Sequence, residues 1–379
     1  MRDRSGVVIT GVGVVTPLGD RLDALWTRLA AGESAARPWD DLAREEFRHT
    51  VACRIDGLDD GDGRGRALGV IAARQAVVAA GVVLPARTAV VVGSTMGESG
   101  SFERAGAGER LDLGGETCAA FPRAIAADLG LAGPCRAYGA ACAAGNYALG
   151  AAADLLRRDE ADVVLAGGVE PFSRIAMVGF SRSRAMSATG VCRPFDARRD
   201  GMVLGEGAAM FVLERERDAR ARAATPLAVV GALGLACDAH HPTAPRPDGE
   251  GIAAAFRDAL AEQDLAPRDV DWVCAHGSGT LLSDAAEAEA MRTVFGDRQP
   301  ALAGLKGAFG HALGAATAIE AAVCVAALAR QTIPPTVGLA EPGYPLDLVR
   351  EPRAARLRWV ANAGYAFGGL DSVLLLGAA

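Results

Sequence analysis

Lysine is almost absent from this chain: of 39 basic residues a single one, Lys306, is lysine and all the others are arginine. Positive charge is not in surplus either, since 46 acidic residues leave a formal net charge of −7. That balance lacks the basic field that drives duplex binding, so no nucleic acid partner is expected, and an acidic partner would need a local arginine patch. Paired cysteines are missing too. Eight cysteines lie scattered at 53, 118, 135, 142, 192, 237, 274 and 324, with no CxxC spacing and no leading signal peptide. Reduced thiols in the cytoplasm are therefore expected, not a disulfide framework. No apolar run reaches the roughly 18 residues of a membrane helix, which predicts no membrane span. No low-complexity linker interrupts the chain.

What is present is a large apolar inventory: half of the 379 residues are hydrophobic, enough for one big domain or two fused halves. β-Branched runs at Val7–Thr10, Ala89–Val92, Val163–Ala166 and Val273–Ala275 end in Gly or Ser loops, with Ala- and Arg-rich helical stretches between them. This alternation predicts an α/β protein with buried strands. A charged stretch, ERERDARARAA, gives way near Ala219–Thr225 to PLAVVGAL, which predicts halves of 1–224 and 225–379. GNYALGAAADLL from Gly145 and GHALGAATAIEA from Gly310 share ALGAA. Read as an echo, the match implies a duplicated α/β unit with a site where the halves meet; in so Ala-rich a chain, coincidence is the alternative.

Three segments carry candidate chemistry. Cys142 lies in YGAACAAGNYALG, a small-residue turn directly before a helical stretch. A helix N-terminus lowers a thiol pKa toward thiolate, which would make Cys142 a nucleophile; the plainer reading is a small core residue. His276, in AHGSGTLLSDAAEAEA, follows an apolar strand and precedes a glycine loop. Cys274 beside it has no second ligand pair at a metal spacing, so no metal is expected. His311 sits in LKGAFGHALGAATAIE between glycines, just before a helix. A lone histidine there reads as structural, but two of the chain's five histidines occupy such Gly-flanked loops. Lys306, five residues before His311, suggests a place where a compact ammonium is needed instead of a planar fork.

At this density the chain resembles the elongating β-ketoacyl-acyl-carrier-protein synthases of fatty-acid and type II polyketide systems. The segments that carry the resemblance run in order: VVITGVGVVTPLG, AACAAGN, LAGGVE, RPFDARRDGMVLGEGAAMFVLE, DAHHPTAPRPDGEG, AHGSGT, LKGAFGHALGAA and GYAFGGLDSVLLL. The resemblance implies a thiolase-like fold, two pseudo-repeated α/β halves forming a layered αβαβα core. It implies Cys142 as acyl acceptor, His276 and His311 as the pair handling a malonyl unit, and Lys306 as a buried support with Glu320 its acidic partner. The N–H groups of Cys142 and Phe367 would form the oxyanion hole, and Ser278 and Thr280 would contact a phosphopantetheine arm, the first being commonly Thr in relatives. The expected partners are acyl carrier protein and acyl and malonyl thioesters, with no cofactor of the enzyme's own and a homodimer or heterodimer as the assembly.

Rival readings leave different traces. A thiolase would show a second cysteine in a C-terminal Cys-Gly segment, where Phe367-Gly368-Gly369 stands instead, and a chain-length subunit would lack the nucleophile. An acyltransferase to an alcohol or amine stays open, although the two-histidine set counts against it. A nicotinamide enzyme is suggested by Gly11-Val12-Gly13, but Thr16 replaces the third glycine of that fingerprint. Departures from the family pattern bear on partner and substrate. Ala366 replaces a glycine and Asp371 an asparagine in the C-terminal motif, and the stretch from Cys53 to Gly69 is short and lacks the basic helix start of relatives, where only Arg64 and Arg66 remain. Arg182, Arg184, Arg193, Arg198 and Arg199 offer another basic surface for an acidic carrier, or simply a solvated arginine face.

Overall fold

The computed structural model describes residues 6–58, 63–106, 108 and 117–379. Residues 59–62 of the short Cys53–Gly69 stretch lie outside the described residues. Ten strands form one mixed sheet: β1 (Val7–Val15), β2 (Thr88–Gly93), β3 (Cys135–Tyr138), β4 (Val163–Glu170), β5 (Gly207–Arg215), β6 (Ala228–Cys237), β7 (Trp272–Ala275), β8 (Ala301–Gly304), β9 (Trp359–Ala366) and β10 (Leu370–Gly377). Their order is β8-β7-β9-β10-β6-β1-β5-β4-β2-β3. Each expected β-branched run falls in one of these strands.

The order is palindromic about the β6–β1 seam. In the first half β2 runs parallel to both β3 and β4, and β5 is antiparallel to β4 and β1. In the second, β7 runs parallel to β8 and β9, and β10 is antiparallel to β9 and β6. Only Val7–Ile9 and Ala228–Val230 pair across the seam.

Strand alternation builds the layers. Ala89 and Val91 enter a central core, whereas Val90 and Val92 enter an outer one. Trp272 and Cys274 join the central core and Val273 and Ala275 a second outer one. With side chains pointing to alternate faces, each half-sheet must be covered on both sides. Helices α1 (Arg64–Ala80) and α2 (Ala120–Asp128) cover one outer face, and α4 (Glu250–Gln263) and α5 (Leu281–Phe295) the other. Helices α3 (Ala144–Arg157) and α6 (Ala316–Arg330) lie between, touching each other and strands of both halves. This is the expected αβαβα layering.

Two expectations need correction. The stretch Leu313–Arg330 is long and apolar enough to cross a membrane by length and composition, so the chain does hold such a run; 89% of it is buried inside the protein, as the central helix α6 and the turn before it. The duplication is structural, but the shared ALGAA letters are out of register with it. Ala148–Ala152 lies within α3, whereas Ala312–Ala316 precedes and opens α6. The structural counterparts are Ala141 (φ 45°) and Leu313 (φ 44°), each opening a one-turn 3₁₀ segment that leads straight into its central helix.

The Gly11-Val12-Gly13 segment also has a packing explanation. It lies inside β1, and a Cβ at Gly11 or Gly13 would stand 2.1 or 2.0 Å from the carbonyl oxygens of Ala76 and Ala72. Gly234 of β6 meets Ala255 of α4 in the same way, at 2.0 Å. Glycine is needed there for close helix–strand approach, and no phosphate loop exists at the strand end.

Candidate active site

The two 3₁₀ turns touch where the halves meet, and the candidate residues converge on them. Cys142 is the middle residue of the first turn and is 6% exposed. Ala141 before it holds a left-handed φ of 45°, a costly conformation for a residue with a Cβ and one that clusters at functional sites. His276 follows the last residue of β7, and His311 lies just before the second turn. Their rings meet edge to face, 5.3 Å between centroids at 80°. Tyr365 packs against His276 from β9 at 5.6 Å.

Each loop is held by buried polar groups. Glu287 of α5 accepts from the N–H groups of His276 and Gly277, both at 2.9 Å. Asp284, one turn earlier, accepts from Gly279 at 3.0 Å and Phe195 at 2.7 Å. His311 donates its N–H to Val203 O at 2.8 Å and accepts from Gly205 at 3.0 Å. Glu170, at the end of β4, accepts from the N–H groups of Thr95, Met96 and Gly314, tying the second turn to the first half. These acids sit inside motifs that are legible in the sequence, yet their roles are not. The available signal is that Asp284 and Glu287 fall one turn apart on a helix face otherwise lined by Ala286, Ala290 and Met291 of the core.

Lys306 lies behind the rings and is wholly buried. Its Nζ donates to Glu320 Oε1 and to the carbonyl oxygen of His276, each at 2.5 Å. A Cβ on Gly307 would stand 2.0 Å from Val337 O, and Gly310 has φ 75°, so the backbone around the ammonium is closely packed.

Electrostatics follow from burial and that single cation. Burial first, then Lys306, holds both imidazoles well below the ordinary histidine range, so they are neutral at pH 7. Both Nδ1 atoms are buried without a partner among the described residues. Burial pushes the Glu320 carboxyl up to about 7 while Lys306 pulls it down. Burial likewise takes Glu170 to about 7 and Glu287 to about 8 against their backbone donors. For Cys142 the expected thiolate is not found. Its thiol is pushed up to about 12 by burial, with Lys306 pulling down and Glu170 and Glu320 pushing further up. A helix N-terminus is worth about 0.3–1 kcal/mol, too little to offset full desolvation of a thiolate.

One cavity of about 350 Å³ brings together Cys142, His276, His311, Ser278, Thr280 and Phe367. The Ser278 and Thr280 hydroxyls lie 3.0 Å apart, and Leu281 and Leu282 next to them are exposed. Phe367 is 38% exposed and packs on Phe180, ring centroids 5.4 Å apart. Of the five candidate docking arginines, Arg184 lines the cavity, and Arg182 and Arg184 are exposed with no ion pair among the described residues. Arg193 pairs with Asp200, Arg198 with Asp196 and Glu341, and Arg199 with buried Asp284 and the Tyr344 ring. Arg64 and Arg66 are also tied, to Glu206 and Glu98. Among the described residues no group of three His, Cys, Asp or Glu could hold a metal ion.

Comparison with known proteins covers nearly the whole chain. A family model described as "Beta-ketoacyl synthase, N-terminal domain" matches residues 4–219, and its C-terminal counterpart matches residues 227–340. "Nodulation protein E" of Rhizobium leguminosarum bv. trifolii is 37% identical over 97% of this chain and 98% of its own. "3-oxoacyl-[acyl-carrier-protein] synthase 2" of Rhizobium meliloti is 34% identical over 98% of each. Among solved structures, "The ishigamide ketosynthase/chain length factor" superposes with a TM-score of 0.93 at 36% identity, covering both chains fully.

Proposed function

The chain belongs to the β-ketoacyl synthase family, and from that premise we propose that it condenses an acyl group held on Cys142 with a malonyl unit delivered by acyl carrier protein, as a 3-oxoacyl-[acyl-carrier-protein] synthase. The observation that carries this reading is the convergence of one buried thiol and two neutral imidazoles on a single cavity.

In the first half-reaction Cys142 sulfur attacks the acyl thioester, the carrier's C–S bond breaks, and the thiol proton ends on the departing phosphopantetheine thiolate. Because the free thiol is protonated, proton loss must accompany attack. The N–H groups of Cys142 and Phe367 are the proposed donors to the tetrahedral oxyanion. In the second, malonyl loses carbon dioxide, and the enolate oxygen receives N–H donors from His276 and His311, which can donate while uncharged. The resulting carbon nucleophile attacks the acyl-cysteine, and Cys142 leaves and regains a proton. Ser278 and Thr280 would steady the phosphopantetheine arm, which belongs to the carrier, and no cofactor of the enzyme's own enters the scheme.

Exposed Arg182 and Arg184 beside the cavity are the proposed contacts for an acidic carrier. The assembly proposed is a homodimer or a pair with a ketosynthase-like chain, the latter favoured by the likeness to a ketosynthase/chain length factor structure. With Cys142 in place this chain would be the condensing member. Eight free cysteines fit a cytoplasmic location. Intact-mass measurement after incubation with acyl carrier proteins tests the reading: wild type gains an acyl mass and Cys142→Ala does not. Acyl mass on the Ala variant would overturn it.

A further inference from the structure

Asp238 and Asp371 meet head to head in the cavity wall, and nothing in the chemistry above uses them. Asp371 is the second residue of β10, whose register sets Leu370 opposite Cys237, the residue before Asp238. Their exposures are 2% for Asp371 and 9% for Asp238. Asp238 Oδ2 accepts from the N–H of Arg246 at 2.8 Å. Its other oxygen, Oδ1, and Asp371 Oδ2 are both buried with no donor among the described residues. Those two oxygens stand together over Gly251, where a Cβ would lie 2.1 Å from the first and 2.5 Å from the second. Two ionised carboxylates can only accept, so facing each other they repel; one proton turns one of them into a donor and satisfies both.

We propose that Asp238 and Asp371 share a proton that latches the Ala366–Gly369 turn, and Phe367 with it, to the loop 238–249, making Asp371 a positioning residue for the acyl site. The inference rests on the reading of the cavity given above. Two backbone bonds cross between the same segments, Asp238 N to Gly369 O and Gly368 N to Pro242 O, each at 2.8 Å, so the carboxyl pair sits where the loop and the turn join. An asparagine at 371, the residue usual in the family pattern, would donate at any pH. An aspartate makes the bond conditional on a proton.

Burial first, then the Asp238 charge and hydrogen bond, pushes Asp371 up to about 8. The other ionisable groups around the pair are Tyr147 of α3, Tyr365 of β9, Cys237 of β6, and His240, His241, Arg246 and Asp248 of the loop. Arg246 pairs with Asp248, and Glu250 at the start of α4 with Arg257, so neither cation offsets the two carboxyls. Burial pushes both tyrosines up, with Asp371 adding to each, so they stay neutral over the same range. Since the folded-state value lies above the ordinary carboxyl value, the latch is complete at low pH and is lost as pH rises through about 8.

The test compares wild type with Asp371→Asn between pH 7 and 9. Infrared difference spectra over this range should show a larger loss of protonated-carboxyl absorbance in wild type than in the variant, because Glu287, raised to about 8, deprotonates in both proteins and only Asp371 distinguishes them. The wild-type rate of acyl loading divided by the Asn-variant rate should fall roughly tenfold, the change in protonated fraction of a group with pKa near 8; the ratio cancels the common rise in thiolate. Equal carboxyl losses in the two proteins, or a ratio constant with pH, would overturn the latch. The infrared arm needs no substrate, so failure of the synthase reading would show separately as absence of acyl loading at every pH.

Discussion

Lys306 Nζ bridges Glu320 Oε1 and the carbonyl oxygen of His276 at 2.5 Å each, so one buried ammonium joins α6 to the loop that carries a catalytic candidate. Removing one partner of a buried pair costs about 3–5 kcal/mol. Glu320 can take up a proton, so the loss in Lys306→Ala should grow as pH rises above about 7. Lys306→Arg keeps the charge but puts a planar fork beside Gly307, which has no room even for a Cβ. That variant should fold and load acyl groups on Cys142 while condensation falls on the order of 10²-fold from misplaced imidazoles. Loading, condensation and thermal midpoint measured on it decide the matter; wild-type condensation would retire the idea.

His276→Ala and His311→Ala should separate the half-reactions. Each removes one of the two proposed donors to the enolate oxygen, so decarboxylation should drop by on the order of 10²-fold or more, well beyond the loss in acyl loading. Equal losses in both steps would argue against this division.

The two imidazoles also predict a pH signature in stability. Their folded-state values are depressed, so the stability they contribute is present above the ordinary histidine value and is lost as pH falls below it. Glu170 and Glu320, raised to about 7, act in the opposite sense, and only a difference isolates the histidine part. Below about pH 6.5 wild type should lose stability relative to His276→Gln by up to about 1.4 kcal/mol per pH unit. Urea midpoints at pH 7, 6 and 5 give this slope, and parallel curves would mean that His276 is not buried neutral.

Asn146 and Asn362 are the chain's only asparagines, and they bind each other. Asn362 Nδ2 donates to Asn146 Oδ1 at 2.8 Å and to Thr317 O at 2.7 Å, while Asn146 Nδ2 donates to Asn362 O at 3.0 Å and to Ser372 Oγ at 3.1 Å. This buried network joins α3, which follows Cys142, to α6 and the second half-sheet. Asn362→Leu strands the Asn146 oxygen and should cost about 1–3 kcal/mol. A urea midpoint equal to wild type would show that the network adds nothing to stability.

Strands and the sequence positions of Cys142, His276, His311 and Lys306 were legible because they rest on local signals, namely β-branched runs, glycine-flanked turns and rare residue types, whereas the layering was implied only by the family resemblance. The acids that hold the loops were not legible. Glu170 is charged in sequence and buried in space, and its donors, the Ser94 hydroxyl and the N–H groups of Thr95, Met96 and Gly314, all lie far from it along the chain. The ALGAA match misled for the converse reason, since alanine is interchangeable along a small-residue helix and its letters carry little register.

By itself the sequence determined which residues could do chemistry and the α/β alternation that places them at strand ends and helix starts, because backbone periodicity and turn preference act over a few residues. The tertiary structure alone decided protonation. Cys142 sits at a helix start, as its flanking residues imply, yet full burial drives its thiol up to about 12, against the helix's own field. Asp371 reads as an ordinary carboxylate until burial, and then Asp238 packed against it, push it up to about 8. Proton affinity depends on desolvation and on charges brought near from distant parts of the chain, and neither exists before the two halves close on each other.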